Sequence, residues 1–207
     1  MQFSGKVGML SLGAGVESPV RMAKNGSLVV TQGAGGWMEP VINGITMTAC
    51  SPIAGVAPGT ATSTTPPFAL WNPPSSGKNL SIVKVALGYI SGTLGAGSIM
   101  MGAIPMQVTV PTTGTEIIPT SNLIGAARGV ARVFQGSTFV AAPTPLKPLF
   151  VMGAFVGGAV QPTPSEIVSD GLFVIPPGNG VALYGVGTAG TTPLVLLSMT
   201  WDELTIS

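Results

Sequence analysis

Two pairs of carboxylates, Asp202 with Glu203 and Glu166 with Asp170, are where this sequence brings acids close enough to work together. Neighbours in a strand point to opposite faces. Asp202 and Glu203 therefore cannot share a proton or a cation, and they read as solvated or interface charges, the usual setting of Asp and Glu. Glu166 and Asp170 could share one side of a turn. Two acids without a histidine, a third carboxylate or an Asn/Asp-rich loop make a poor metal site, so no metal ligands are assigned. With no histidine in the chain, the Ser-His-Asp triad is excluded. A Ser-Lys dyad stays open by composition, but no spacing points to one. Cys50 is the single cysteine, which rules out an intrachain disulfide or a cysteine metal cluster and fits assembly in the cytosol.

The glycine-rich runs Gly92-Thr93-Leu94-Gly95-Ala96-Gly97 and Gly33-Ala34-Gly35-Gly36 invite a nucleotide-binding reading. A phosphate cradle needs its loop between a strand and the N-terminus of a helix, and a P-loop adds Lys followed by Ser or Thr. The first run leads straight into another apolar strand, so it reads as a wide hairpin connection. No catalytic residue and no cofactor site is assigned, and the chain is expected not to be an enzyme.

Four residues stand out as candidates for contact with other chains. Arg128 and Arg132 are the closest basic pair, four apart in a loop-like stretch, and read as an interface or surface pair. Contact with nucleic-acid phosphates would need several such groups. Trp37 and Met38 lie between Gly36 and Glu39-Pro40, where no intrachain core is evident, and aromatics and Met are enriched in interface cores. Trp71 and Trp201 sit in or at the ends of apolar strands and read as core.

Composition agrees with this absence of chemistry. The 207 residues include 8 basic and 7 acidic side chains, 7% of the chain with a net charge of +1, against about 25% in ordinary soluble domains. An isolated monomer would have little to keep its surface hydrated and repulsive. The charge gives no footprint for nucleic acid. Apolar residues make up 45% of the chain and mean hydropathy is +0.56, which argues against disorder. Of the longest apolar runs, Leu149 to Val160 is bounded by Pro148 and Gln161-Pro162, and Ile99 to Val110 is cut by Pro105 and Gln107. Both fall short of the roughly 20 residues that span a bilayer as a helix, so no membrane partner is expected. Lys6 followed by Val7 to Val16 lacks the small-residue cleavage pattern of a signal peptide.

With 30 Gly and 19 Pro among so many apolar residues, the pattern predicts short strands joined by tight turns. Residues 1–65, rich in Gly, Thr and Pro, predict an extended N-terminal arm with one or two short strands, around Ser27 to Thr31 and Ile45 to Cys50. Ala54 to Pro67 reads as a linker that would be mobile in isolation. Residues 66–207 predict an all-β domain of about eight antiparallel strands: Phe68–Trp71, Leu80–Ile90, Ser98–Met106, Gly129–Phe134, Pro148–Val156, Gly171–Ile175, Val181–Val186 and Leu194–Leu204. Alternation in the second of these sends Val83, Val85, Leu87 and Tyr89 inward. Asn72–Gly77 and Pro176–Gly180 are turn signals. Ser121–Val133 and Ser165–Val168 could each supply a short turn of helix, although Gly125 and Gly129 weaken the first.

Two segments carry a resemblance. Phe68-Ala69-Leu70-Trp71-Asn72-Pro73, with Gly77-Lys78-Asn79-Leu80 and Leu87-Gly88-Tyr89-Ile90-Ser91-Gly92-Thr93-Leu94-Gly95-Ala96-Gly97, resembles stretches of structural proteins of tailed bacteriophages. Asp170 to Tyr184, with Ser198-Met199-Thr200-Trp201-Asp202-Glu203, is similar to the last strands of viral jelly rolls. The resemblance covers about residues 66–204. It implies a jelly-roll β-sandwich that serves as a capsid cement or decoration protein, a homotrimer on the major capsid protein at the outer surface of a virion assembled in the host cytoplasm. The alternative is a receptor- or glycan-binding head of a phage tail fibre or spike, since jelly rolls also serve as lectin-like modules.

Overall fold

The computed structural model describes residues 37–153 and 165–205. Ser27 to Thr31, the Gly33–Gly36 run and the end of the predicted strand beyond Gly153 lie outside those residues. The chain divides between Glu39 and Pro40, and the sandwich belongs to the unit that begins at Pro40. Among the described residues there is one short helix, α1 (Met38–Ile42). The strands are β1 (Thr46–Cys50), β2 (Phe68–Trp71), β3 (Lys78–Thr93), β4 (Gly97–Ile104), β5 (Thr115–Ile117), β6 (Thr120–Ser121), β7 (Arg132–Gln135), β8 (Thr144–Met152), β9 (Ser165–Val168), β10 (Val174–Ile175), β11 (Gly180–Gly187) and β12 (Thr191–Thr205).

The strands form two packed antiparallel sheets, an all-β sandwich as the sequence predicts. One sheet runs β10-β3-β12-β1-β6 with β9 also on β3, and the other runs β5-β7-β2-β11-β4-β8. The pairing has an order along the chain: β1 pairs β12, β2 pairs β11, β3 pairs β9 and β10, and β4 pairs β8. The first half of the chain thus forms a two-stranded ribbon with the second half. Rolling that ribbon sets β3 beside β12 and β4 beside β11. The segment β5 to β7 is inserted at the ribbon's turn and extends the far side of each sheet.

Alternation sorts the side chains. Phe68, Leu70, Val181, Leu183, Ile99, Met101, Leu197 and Met199 fill the space between the sheets. The intervening Ala69, Trp71, Ala182, Tyr184 and Phe134 form a second cluster on the outer face of the β2/β11 sheet. Phe139, between β7 and β8, closes over it edge-on to Phe134. Trp71 and Trp201 are both core, as the sequence predicts. On the outer face of the other sheet, Thr48, Ala86, Leu196, Ser198 and Thr200 are partly buried and uncharged, beside the ion pair of Lys84 and Glu166.

Four expectations change. Thr46–Cys50, read as part of the arm, is a sheet strand between β12 and β6, because Met47 and Ala49 alternate into the core while Thr48 bonds Thr200 across the outer face at 2.9 Å. The linker reading of Ala54–Pro67 gives way to a tied segment: Val56 bridges Val195, Pro58 and Thr60 accept from Gly185 and Gly187 of β11, and Thr64 and Pro66 accept from Phe139 and Gly136. Ser165–Val168 is strand β9, its backbone satisfied by Lys84–Leu87 of β3. Ser121–Val133 makes no helix: it runs from the end of β6 into β7 through a loop with a single turn, where Ala126 N–H donates to Leu123 and Gly125 has φ 91°.

The inward face of β3 also needs correcting. Register passes from Lys84 opposite Thr200 to Ile82 opposite Trp201, so Val83 is an extra residue in a bulge. Leu80 and Ile82 point into the core before it, Val85 and Leu87 after it. Tyr89, beyond the covered part of the sheet, is 42% exposed.

Candidate functional site

Glu203 overturns the expectation that the C-terminal acids are solvated or interface charges. It is 1% exposed, because β12 lies inside its sheet between β1 and β3. Its Oε2 accepts from Val130 N at 2.9 Å and from Lys78 Nζ at 3.3 Å. Its Oε1 accepts from Ala131 N at 3.0 Å and from Trp201 Nε1 at 3.5 Å. A Cβ at Gly129 would overlap the carboxylate. This carboxylate is thus fully engaged in holding the segment that leads into β7. Asp202, also buried, turns the other way and accepts from Thr46 Oγ1 at 2.5 Å. The two acids do face apart, as alternation requires.

The remaining charges are arranged as small separate sets. Glu166 meets Lys84 at 2.6 Å, and no group of three His, Cys, Asp or Glu side chains lies together among the described residues. Asp170 is exposed in a left-handed turn at φ 50°; its N–H and that of Ser169 donate to Val83 in the β3 bulge. Arg132 donates through Nε and Nη2 to the two oxygens of Glu116 at 2.8 and 2.5 Å, and its guanidinium lies 5.1 Å from the centre of the Phe134 ring. That hydrogen bonding holds the Glu116 carboxyl below its usual range and pushes Arg132 up.

The predicted interface residues are therefore placed differently from one another. Arg132 is committed to its own molecule. Arg128 is exposed on the 122–131 loop and makes no ion pair among the described residues. Trp37 is partly exposed and Met38 is 50% exposed at the start of α1. Cys50, exposed at the end of β1, has its thiol pushed up by the protein around it, with a hydrogen bond from Ser51 acting against this.

The glycine run Gly92–Gly97 joins β3 to β4 as a connection, but the two strands lie in different sheets and do not pair, so the run crosses between the sheets and the predicted hairpin is not formed. It interlocks with the β11–β12 turn: a Cβ at Gly95 would overlap the backbone of Thr188, and one at Gly190 the backbone of Thr93. The glycines serve close backbone approach rather than an anion. Two clefts are lined by described residues. One, of about 170 Å³, lies under these turns. The other, of about 370 Å³, opens between the β10 and β4/β8 edges, over Leu146, Leu172, Val174 and Ala103. Neither is lined by a titratable side chain.

What the surface offers is apolar contact. Ile124, Val151, Leu172, Val108, Met106 and Ile118 are all more than half exposed. Sequence reasoning missed Glu203, whose partners are backbone N–H groups that no residue type advertises. It also missed the Leu172 edge, where Asp170-Gly171-Leu172 carried the signal of a charge and a large apolar residue sharing a turn. No helix among the described residues is long and apolar enough to cross a membrane. Comparison with protein-family models, curated proteins and solved structures finds no match.

Proposed function

We propose that this chain is a non-enzymatic structural protein of a virion, a jelly-roll subunit that forms homotrimers and stabilises a shell of major capsid protein from its outer surface. The observation that carries this reading is the surface. Large apolar side chains stand exposed at loops and edges, while six of the eleven charged side chains among the described residues pair with one another: Glu203 with Lys78, Glu116 with Arg132, Glu166 with Lys84. Such a surface favours association.

The strand order supports the jelly-roll part. An eight-strand jelly roll is two Greek keys, and pairing first with last, second with second-last and so on to a central turn is the ribbon that makes them. Counting β9 and β10 as one, β1, β2, β3, β4, β8, β9/β10, β11 and β12 follow that order. The glycan-binding alternative is less well supported, since Trp71, Trp201 and Tyr184 are buried, which leaves Tyr89 and the partly exposed Trp37 as the Trp and Tyr side chains that could serve as sugar platforms.

Negative-stain imaging of virions decorated with an antibody to this chain tests the placement, with label expected over capsid faces. Light scattering tests the oligomer, with a mass of three chains expected. A compact monomer at high concentration that also fails to bind capsids lacking it would overturn the reading.

A further inference from the structure

The two edges of the β10-β3-β12-β1-β6 sheet carry unlike but matching features. At the β6 edge the chain runs into the 122–131 loop. Its tip is Ile124, 85% exposed, next to Gly125 in a left-handed turn, and Leu123 and Val130 are also exposed. Arg128 projects from the same loop without an ion pair among the described residues. The loop is held from both ends. Ser121 Oγ accepts from Leu123 N at 3.2 Å, Thr48 Oγ1 donates to Asn122 at 2.7 Å, and the buried Glu203 carboxylate takes the Val130 and Ala131 N–H groups. It is a stiff apolar knob with one cation.

The β10 edge is its counterpart. The cleft of about 370 Å³ is walled by Leu146, Leu172, Phe173, Val174 and Pro176, with Leu172 68% exposed. Asp170, two residues before Leu172, is exposed and makes no ion pair among the described residues. The nearby Glu166 is occupied by Lys84. Lys147, partly buried on β8, is the other charge of that edge, so an incoming guanidinium has Asp170 as its available partner. Four strand spacings separate the two edges, about 19 Å.

We infer that the knob of one copy seats in the cleft of the next, Ile124 against Leu172 and Val174, with Arg128 meeting Asp170. The occupant of each site is thus a second copy of this chain. Unlike patches joined head to tail make a heterologous contact, which closes into a ring when the rotation permits. A ring of three would build the trimer proposed above from one repeated contact. The inference rests on that reading and specifies its interface.

Crosslinking tests it. In a Cys50→Ser background, Ile124→Cys copies and Leu172→Cys copies carrying different affinity tags are mixed and treated with a short bismaleimide. The expected result is a two-chain product joining unlike tags in the mixture, and none from either variant alone. A product from Ile124→Cys alone would mean a symmetric contact and overturn the inference. So would the absence of product from the mixture while light scattering shows the unsubstituted protein as an oligomer; a monomeric unsubstituted protein would instead overturn the homotrimer reading itself. A double-mutant cycle gives a second readout. Arg128→Met and Asp170→Asn should each weaken association about threefold, and the second change should add little once the first is made. Independent, multiplicative losses would overturn the pairing of these two residues.

Discussion

Glu203 shows how one buried acid can set the shape of a surface it does not reach. Its four donors come from a lysine, an indole and two backbone N–H groups, and removing the acceptor strands three of them inside the protein. Glu203→Ala is expected to cost about 3 kcal/mol or more, and Gly129→Ala about 2 kcal/mol by driving a methyl into the carboxylate, both read from urea denaturation midpoints. Glu116 gives the contrasting case. Arg132 lowers its folded pKa, so the pair contributes above the unfolded value of about 4.3, and that contribution is lost as pH falls through the folded value. Both partners are well exposed at 31% and 39%, so Glu116→Gln should cost only about 0.5 kcal/mol at neutral pH and flatten that part of the acid limb. These two acids were indistinguishable as letters. What separates them is that Glu203 lies on a strand flanked on both sides and Glu116 on an edge strand, a difference set by long-range pairing.

At the scale of elements, strands with strong apolar alternation and turn residues at both ends were legible: Phe68–Trp71 falls where the sequence puts it, and the β3, β4, β11 and β12 cores lie within a few residues of theirs. The bulge at Val83 was not legible, because an extra residue reverses alternation without changing composition. Thr46–Cys50 was legible as a strand but not as a member of the sandwich, and Ser165–Val168 is a strand because β3 offers it a partner, which local propensity cannot register. The glycine run Gly92–Gly97 was legible as a connection between strands, but not that it crosses from one sheet to the other, nor its close fit against the β11–β12 turn. Gly95→Ala and Gly190→Ala should each cost about 2 kcal/mol or more, since backbone on the other turn cannot yield as a side chain would. That corresponds to a fall in Tm of about 4–8 °C, and a fall below 2 °C would mean the two turns are looser than described. Edge strand β8 carries Pro145 and Pro148, which lack N–H groups. Proline at an edge blunts strand-to-strand addition, leaving side-chain contacts as the means of association there.

For the whole molecule, scarcity of charge becomes a statement about how copies meet. An interface built on Ile124, Leu172 and Val174 with a single ion pair draws most of its free energy from apolar burial, which salt does not screen, and one exposed pair contributes about 0–1 kcal/mol. Screening shortens from a Debye length of about 30 Å at 0.01 M to about 3 Å at 1 M, so a charge-driven assembly would fall apart across that range. This one should not. Association measured by light scattering or sedimentation is expected to weaken no more than about fivefold between 0.01 and 1 M NaCl, and to strengthen in sulfate, which promotes apolar burial. It should also weaken on cooling, because the apolar driving force fades at low temperature. Loss of the oligomer in 1 M NaCl, with the sandwich still folded by circular dichroism, would place the binding energy in the few charges and not in the apolar knob and cleft.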